Sequence, residues 1–489
     1  MNESPSLAGR AAVAIVLMIG FYVLAVGLAI LLLWIPYAEL VYAKRVHPKL
    51  LIFCIIGAGM ILWSILPRWD KFAAPGPELK PHEHPKLFQE LRGIAQATKQ
   101  AMPSEVFLVT DMNAWVAQRG GVMGFGSRRV MGLGLPLLQA LNISEFRAVL
   151  AHEFGHFYGG DTMLGPWIYK TRNAIRRTVW NLAQSRSILT YPFFWYGNMF
   201  LRITQAVSRQ QELAADQLAA STVGARHLAD GLVAVHGGAM AVEAYWNQEV
   251  NPALGAGYRP PLAEGFAYFL GSSRVKQAVE EGTEQELKHG QGDRYDSHPP
   301  LRERVAVLKQ SGANSEPTRS EPAISSLADT ARAEQSLLQF VLDPKVFQGL
   351  KSARWEQMGA DLYIPSWKTL VAENTGAVRG IRPSELPERA SRYAPLFQEG
   401  LGGLDESQAK QRYLEMQVMG AALALAASLA GAELRCMPGE LYFERNGTKM
   451  EPFSILPQMA KGEMPAQEWG RICGALGLAD QDLATLAGF

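Results

Sequence analysis

The chain has 489 residues and is almost neutral, with 47 Lys and Arg against 46 Asp and Glu. That balance excludes a general nucleic-acid binder, and the length predicts more than one folding unit. The cysteines, Cys54, Cys436 and Cys473, are too scattered for a disulfide framework or a Cys-x-x-Cys metal site, which suits a reducing compartment.

Ala11 to Ile35 is an uncharged apolar run long enough to cross a bilayer, and Leu50 to Leu66 is a shorter one with Trp63 and Trp69 at its end. The expectation is two transmembrane helices, 11–35 and 50–66, within an N-terminal segment 1–70. Two crossings return the chain to its starting side. Lys44, Arg45 and Lys49 on one face, against Arg10, Arg68, Lys71 and Lys80 on the other, do not choose which side that is.

The Pro-rich stretch 75–85 reads as a stiff linker leaving the membrane, and its His82 and His84 as linker residues rather than a metal pair. A helix is expected over Leu87 to Ala101, then a strand over Glu105 to Thr110. Asn113, Ala114 and Trp115 open another strand, which leaves a sheet edge free. The glycines of 120–126 lack the register of a phosphate loop.

His152-Glu153-Phe154-Gly155-His156 lies in an apolar, helix-prone run. A helix returns every fourth residue to nearly the same face, so both imidazoles can point at one metal ion. Glu153, about 100° round the same turn, is in reach of a water on that metal. Ser144 is the expected N-cap with Glu145 behind it, and Gly159-Gly160 the stop after Phe157 and Tyr158. Two histidines alone hold zinc poorly, so a third ligand is required. It is not supplied by the extension His-x-x-Gly-x-x-His, because Thr162 stands at the last position.

Trp167 to Leu182 predicts an amphipathic helix with Ile168, Ile175, Val179 and Leu182 on one face and basic residues elsewhere. It reads either as a helix lying on anionic lipid or as an ordinary surface helix. Tyr191 to Phe200 is too short to span, leaving a membrane-dipping segment or a core piece. In the helical run 207–220, Glu212 and Asp216 stand one turn apart. They are either a solvated acidic face or a zinc ligand with a second acid that orients a ligating histidine. Ser297-His298-Pro299-Pro300 opens a further helix, with His298 either a turn histidine or a donor to a charged intermediate.

Four pieces in order, the Asn113-Ala114-Trp115 strand, the His152–His156 motif, Glu212-x-x-x-Asp216, and His298-Pro-Pro with Arg304 six residues on, resemble the membrane zinc metallopeptidases. That family contains the HtpX heat-shock protease and the CAAX prenyl proteases, and the resemblance runs from about Lys80 to Leu308. It implies one Zn2+ per chain on His152, His156 and Glu212, Glu153 as general base, Asp216 behind a ligand and His298 stabilising the intermediate. Asn113, Ala114 and Trp115 would form the edge that receives substrate backbone. Arg304 would be structural or substrate-orienting, and is grouped with the substrate-binding positions. The clear second pair of spans of HtpX-type proteins, between the histidine helix and the Glu ligand, is missing. So is the many-helix chamber of the prenyl proteases, which argues against prenylated substrates.

The expected fold is α+β and mainly helical: the membrane hairpin, a zincin-type metallopeptidase domain 71–312 with a small sheet, a linker 313–325 and a C-terminal α+β region 326–489 of unassigned function. In that last region helices are expected at Glu334 to Val341 and Glu406 to Leu429, the latter buried, with short strands from Glu433 to Pro452 turning at Pro438-Gly439 and Asn446-Gly447. The expected activity is peptide hydrolysis by a metal-activated water with Glu153 moving the proton. Substrates would be membrane-associated or misfolded polypeptides at the cytoplasmic face of a bacterial inner membrane, with lipid and no nucleic acid as further partner. The alternative is a catalytically silent, zinc-containing membrane scaffold or chaperone-like protein.

Overall fold

The computed structural model describes residues 7–66, 72–120, 126–157, 164–290, 299–311, 316–398 and 404–489. Helices dominate and the sheets are small, as expected. The chain divides into two compact units, 1–240 with 279–341, and 241–278 with 342–489.

The first unit begins with α1 (Leu7–Ala38) and α2 (Pro48–Ile65), packed on each other and each long and apolar enough to cross a membrane. Val16, Ile19, Val23 and Ile30 of α1 and Ile52, Ile55 and Ile56 of α2 face outward. Apolar side chains on all sides of a helix suit hydrocarbon better than water.

A four-stranded sheet follows: β1 (Glu78–Leu79), β2 (Glu105–Val109), β3 (Ala114–Arg119) and β4 (Arg128–Gly134), in the order β1-β2-β4-β3. β2 runs parallel to β4 and β3 antiparallel to it, so β3 is an edge strand. The stretch around Pro75 to Pro85 is not a free linker. Leu108 N–H donates to the Pro77 carbonyl at 2.9 Å, and Gly76 approaches Leu108 so closely that a Cβ would collide with its carbonyl. His84 is buried and its Nδ1 accepts from Ala328 N–H at 3.3 Å. That bond gives His84 a structural occupation.

α3 (Pro85–Ala97) and α4 (Leu135–Ala140) precede α5 (Ile143–Gly155), α6 (Leu164–Gln184), α7 (Thr190–Thr222) and α8 (Ala225–Tyr245). α7 joins two segments that the sequence separates, because Pro192 falls in its first turn, where no intrahelical N–H is needed, and Gly197 sits where α6 approaches. A Cβ on Gly197 would lie 2.9 Å from Ile175 of α6. Ile168, Ile175 and Leu182 are buried, so the apolar face of α6 packs within the protein rather than lying on a membrane plane.

The N-cap of α5 is Asn142, not Ser144. Asn142 Oδ1 accepts from Glu145 N–H at 2.9 Å and Glu145 Oε2 from Asn142 N–H at 3.0 Å, a capping box in which Glu145 is the third helical residue. Ser144 Oγ instead accepts from Arg319 N–H at 2.8 Å. Arg319 belongs to a strap, residues 316–327, which is bonded in place where a linker was expected. Ile143 N–H donates to Glu321 O at 2.8 Å, Ala323 N–H to Leu141 O at 2.8 Å and Glu316 N–H to Val223 O at 2.8 Å.

In the second unit, helix Glu406–Leu429 is capped by Asp405 and buries nearly every residue from 416 to 427. It is a core helix, as its length predicts. Strands Glu433–Met437, Glu440–Arg445 and Thr448–Met450 form an antiparallel meander, turning at Asn446 and Gly447, both with positive φ. Residues 241–278, expected within the peptidase domain, share this unit's core. Tyr245 packs among Phe266, Phe269 and Trp355, and Trp355 Nε1 donates to Pro261 O at 2.8 Å. Glu249 accepts from Tyr363 Oη at 3.1 Å and Gly439 N–H at 2.9 Å.

Candidate metal centre

α5 delivers His152 and His156 to one side, their ring centroids 4.8 Å apart. His156 is the residue just after the last helical one and keeps helical φ and ψ, so the i, i+4 relation survives although the helix ends before the glycine pair. Gly159 and Gly160 themselves lie outside the described residues. Phe157 is held by Arg129 of β4, whose guanidinium stands 4.1 Å from its ring centroid.

α7 crosses α5 closely enough to add a carboxylate to the pair. The contact is Gly155 against Ala215, where a Cβ on Gly155 would lie 2.9 Å from Ala215 Cα. Glu212, three residues before Ala215, then brings Oε2 to 3.4 Å from His152 Nε2 and Oε1 to 3.6 Å from His156 Nε2. Ligands bonded at 2.0–2.1 Å to a tetrahedral ion stand about 3.3 Å apart, so the Glu212 carboxylate lies at a spacing from each Nε2 that suits one zinc-sized ion. Glu153 joins the two histidines in a group whose ligand atoms all lie within 4.8 Å of one another.

Behind the donors is a second layer. Asp216 Oδ1 is 2.9 Å from His152 Nδ1, which makes that nitrogen the donor and turns Nε2 towards Glu212. Arg304, on helix Leu301–Gln310, holds Asp216 with two bonds, Nε to Oδ2 at 2.8 Å and Nη2 to Oδ1 at 2.7 Å. Both side chains are buried. Burial opposes charge on His152, but its bonds to Asp216 and Glu212 outweigh that and raise its pKa to about 9 in the metal-free protein. Burial would raise the Asp216 pKa, yet Arg304 and His152 hold it below the ordinary carboxylate value. For Arg304 the carboxylates likewise outweigh burial and keep its pKa above the ordinary guanidinium value.

The structure thus brings His152, Glu153, His156, Glu212, Asp216 and Arg304 together. Arg304 lies behind Asp216 rather than on an exposed substrate-facing surface, because its guanidinium is committed to a buried carboxylate. Asn113 immediately precedes edge strand β3, which Ala114 and Trp115 begin and which packs against α5. Asn113 is exposed and its carbonyl accepts from Gly134 N–H at 2.9 Å, Ala114 is buried opposite Leu133, and the Trp115 ring lies over Gly132. His298 lies outside the described residues. Sequence reasoning missed the Gly155–Ala215 contact and the strap, though small residues flanking both motif acids are a readable signal for the first.

The sequence profile of peptidase family M48 matches residues 81–311, the stretch that carries every one of these side chains. Residues 81–311 are thus similar to peptidase family M48. Protease HtpX of Pseudomonas putida, in two strains, is 21% identical over 286 residues, spanning 54% of this chain and 86% of the relative. No solved structure matches. The M48 match covers the His152–His156 motif, Glu212 and Arg304, and stops short of the strap and of everything after it.

Proposed function

We propose that the chain is a membrane-anchored zinc metalloendopeptidase, its catalytic face on the cytoplasmic side of a bacterial inner membrane. The observation that carries this reading is the approach of one carboxylate, Glu212, to Nε2 of both histidines at 3.4 and 3.6 Å. His152, His156 and Glu212 would hold Zn2+, one per chain, leaving a fourth position open as catalytic rather than structural sites do. When bound, the ion supplies Lewis acidity for the attacking water and the scissile carbonyl.

The remaining work belongs to the chain's own residues. Glu153, on the same helical turn as His152, takes the proton of the attacking water and delivers it to the leaving amine. Asp216 fixes the His152 tautomer, and Arg304 fixes Asp216. Edge strand β3 would take up an extended substrate, adding it to the sheet as a further strand. Polypeptides that are membrane-associated or unfolded meet that requirement for an extended segment. The cytoplasmic placement rests on the family resemblance and on the unpaired cysteines.

Glu153→Gln is the test. The variant is expected to bind zinc like the wild type and to lose cleavage of an unfolded test protein by about a hundredfold or more. Equal cleavage by both proteins contradicts the reading.

A further inference from the structure

We propose that the α6–α7 hairpin dips into one leaflet of the bilayer beside α1 and α2, without crossing it, and holds lipid acyl chains on its outer face. This rests on the reading of α1 and α2 as membrane spans. From sequence, Tyr191 to Phe200 reads as a membrane-dipping segment or a core piece, and the docking of the hairpin's side chains favours the first.

Its depth is marked independently on both spans. On α2, Arg177 Nε and Nη2 donate to the Ser64 carbonyl at 3.3 and 3.2 Å, and Asn181 Nδ2 to Ser64 Oγ at 2.9 Å. Ser64 is at the end from which the chain leaves for the sheet. The hairpin then continues past it, and Leu189 at its tip reaches Gly57, where a Cβ would lie 2.9 Å from the leucine. From Ser64 to Gly57 is about 10 Å of helix. The hydrocarbon core is about 30 Å thick, so the tip stops within the first leaflet. On α1, which enters the bilayer from the same side, Tyr196 Oη donates to the Leu17 carbonyl at 2.6 Å, and Phe193 meets Phe21 edge-on with ring centroids 6.3 Å apart. From Ala12, where the apolar span begins, to Phe21 is about 13 Å of helix, which agrees with the depth read from α2.

The opposite face is uncovered and apolar. Trp180, Ile188, Tyr191, Phe194, Trp195 and Met199 are all exposed, Ile188 at 71% and Trp195 at 75%. An exposed apolar patch of this kind marks an interaction surface, and this one is continuous with the outward faces of α1 and α2. Lipid is the occupant that continuity selects. Trp195, Met199 and Ile203 line one stripe of α7 beside a groove of about 480 Å³ that also takes in Asn198 and Arg202. Arg202 stands about 10 Å above Trp195 along the helix, at the height of a lipid phosphate. Because α7 runs unbroken from Thr190 to Glu212, about 33 Å, the hairpin would hold the metal centre no more than roughly 20 Å above the leaflet.

The test is site-directed spin labelling of the full-length protein in phospholipid nanodiscs, with the native cysteines replaced by alanine. Labels are placed through Ile188→Cys and Trp195→Cys, with Ile56→Cys on α2 and Gln339→Cys on an exposed helix as references. Labels at 188 and 195 are expected to collide with oxygen and exclude a nickel chelate, with 188 within a few Å of the depth of 56. A label at 188 that prefers the chelate while 56 prefers oxygen overturns the proposal. So does shielding of 188 from both reagents, which means protein burial, or a depth at the far headgroups, which means a full crossing. A label at 56 that prefers the chelate overturns the underlying membrane reading instead.

Discussion

At the residue scale the candidate site is backed by a buried chain of three groups, Arg304 to Asp216 to His152. Removing the cation leaves the buried Asp216 with His152 as its remaining partner, so Arg304→Met is expected to destabilise the protein by up to about 3–5 kcal/mol. Denaturant unfolding of the metal-free protein measures it, and an unchanged midpoint contradicts the burial argument. Asp216→Asn is milder in shape but loses the charge that orients His152. Zinc affinity, read by chelator competition, should fall by about 10–100-fold.

The proton on His152 gives a pH dependence of definite sign. With its pKa raised to about 9, the ring carries a proton at neutral pH when the metal is absent, and that proton must leave before Nε2 can bind an ion. Zinc affinity should therefore rise with pH up to about 9, by up to about tenfold per unit, and zinc uptake at pH 7 should release about one proton from this group. In the metal-free state the sign reverses. The stabilising bonds of protonated His152 are complete below its ordinary value of 6.5 and are lost as pH climbs through 9. Zinc uptake with no proton release, followed calorimetrically in buffers of different ionisation enthalpy, contradicts this ordering.

At the scale of elements, the packing of α7 on α5 decides where the Glu212 carboxylate lands. Gly155→Val puts a branched side chain where even a Cβ would lie 2.9 Å from Ala215, so α7 must move away and carry Glu212 with it. The expected result is loss of most bound zinc in a helical, folded protein, checked by elemental analysis beside circular dichroism. Full retention of zinc contradicts it. The strap makes a second prediction. Glu90 of α3 receives Arg147 of α5 at 2.8 Å and Arg319 of the strap at 2.7 Å. Burial opposes its charge, but the two arginines outweigh that and hold its pKa below the ordinary 4.5. A depressed carboxylate contributes stability that is complete above its ordinary value and drains away as pH falls below it. Glu90→Gln should lower stability at pH 7 and flatten the loss of thermal stability between pH 5 and pH 3. An identical acid profile in both proteins contradicts that role.

Much of this was legible in the chain. The i, i+4 spacing of His152 and His156, the Glu212–Asp216 pair and the buried helix Glu406–Leu429 follow from periodicity and length alone. The N-cap of α5 was displaced by two residues because Asn142 and Ser144 are both good caps. Glu145 completes a box only with Asn142, while Ser144 is engaged by a strap residue remote in sequence. The continuity of α7 was hidden by Pro192 and Gly197, residues that punctuate helices unless one falls in a first turn and the other at a helix crossing.

At the scale of the whole molecule, the boundaries drawn from composition and those drawn by packing differ. Residues 241–278 lie inside the M48 match, yet their Tyr245, Phe266 and Phe269 share a core with Trp355. No local signal carries this, because apolar residues on helices announce burial and not the partner. Deleting 342–489 should therefore uncover 241–278 rather than trim an independent domain. Trypsin is expected to cut at Arg259, Arg274 or Lys276 faster in the shortened chain than in the full chain. Equal protection in both proteins contradicts the shared core.

The whole reading turns on whether Glu212 and the two histidines share one ion. Zinc content per chain, measured by elemental analysis on purified wild type, His156→Ala and Glu212→Ala, addresses that in a single experiment. The account predicts about one zinc in the wild type and a small fraction of that in each variant, with all three folded alike. A Glu212→Ala protein that keeps its full zinc would contradict it.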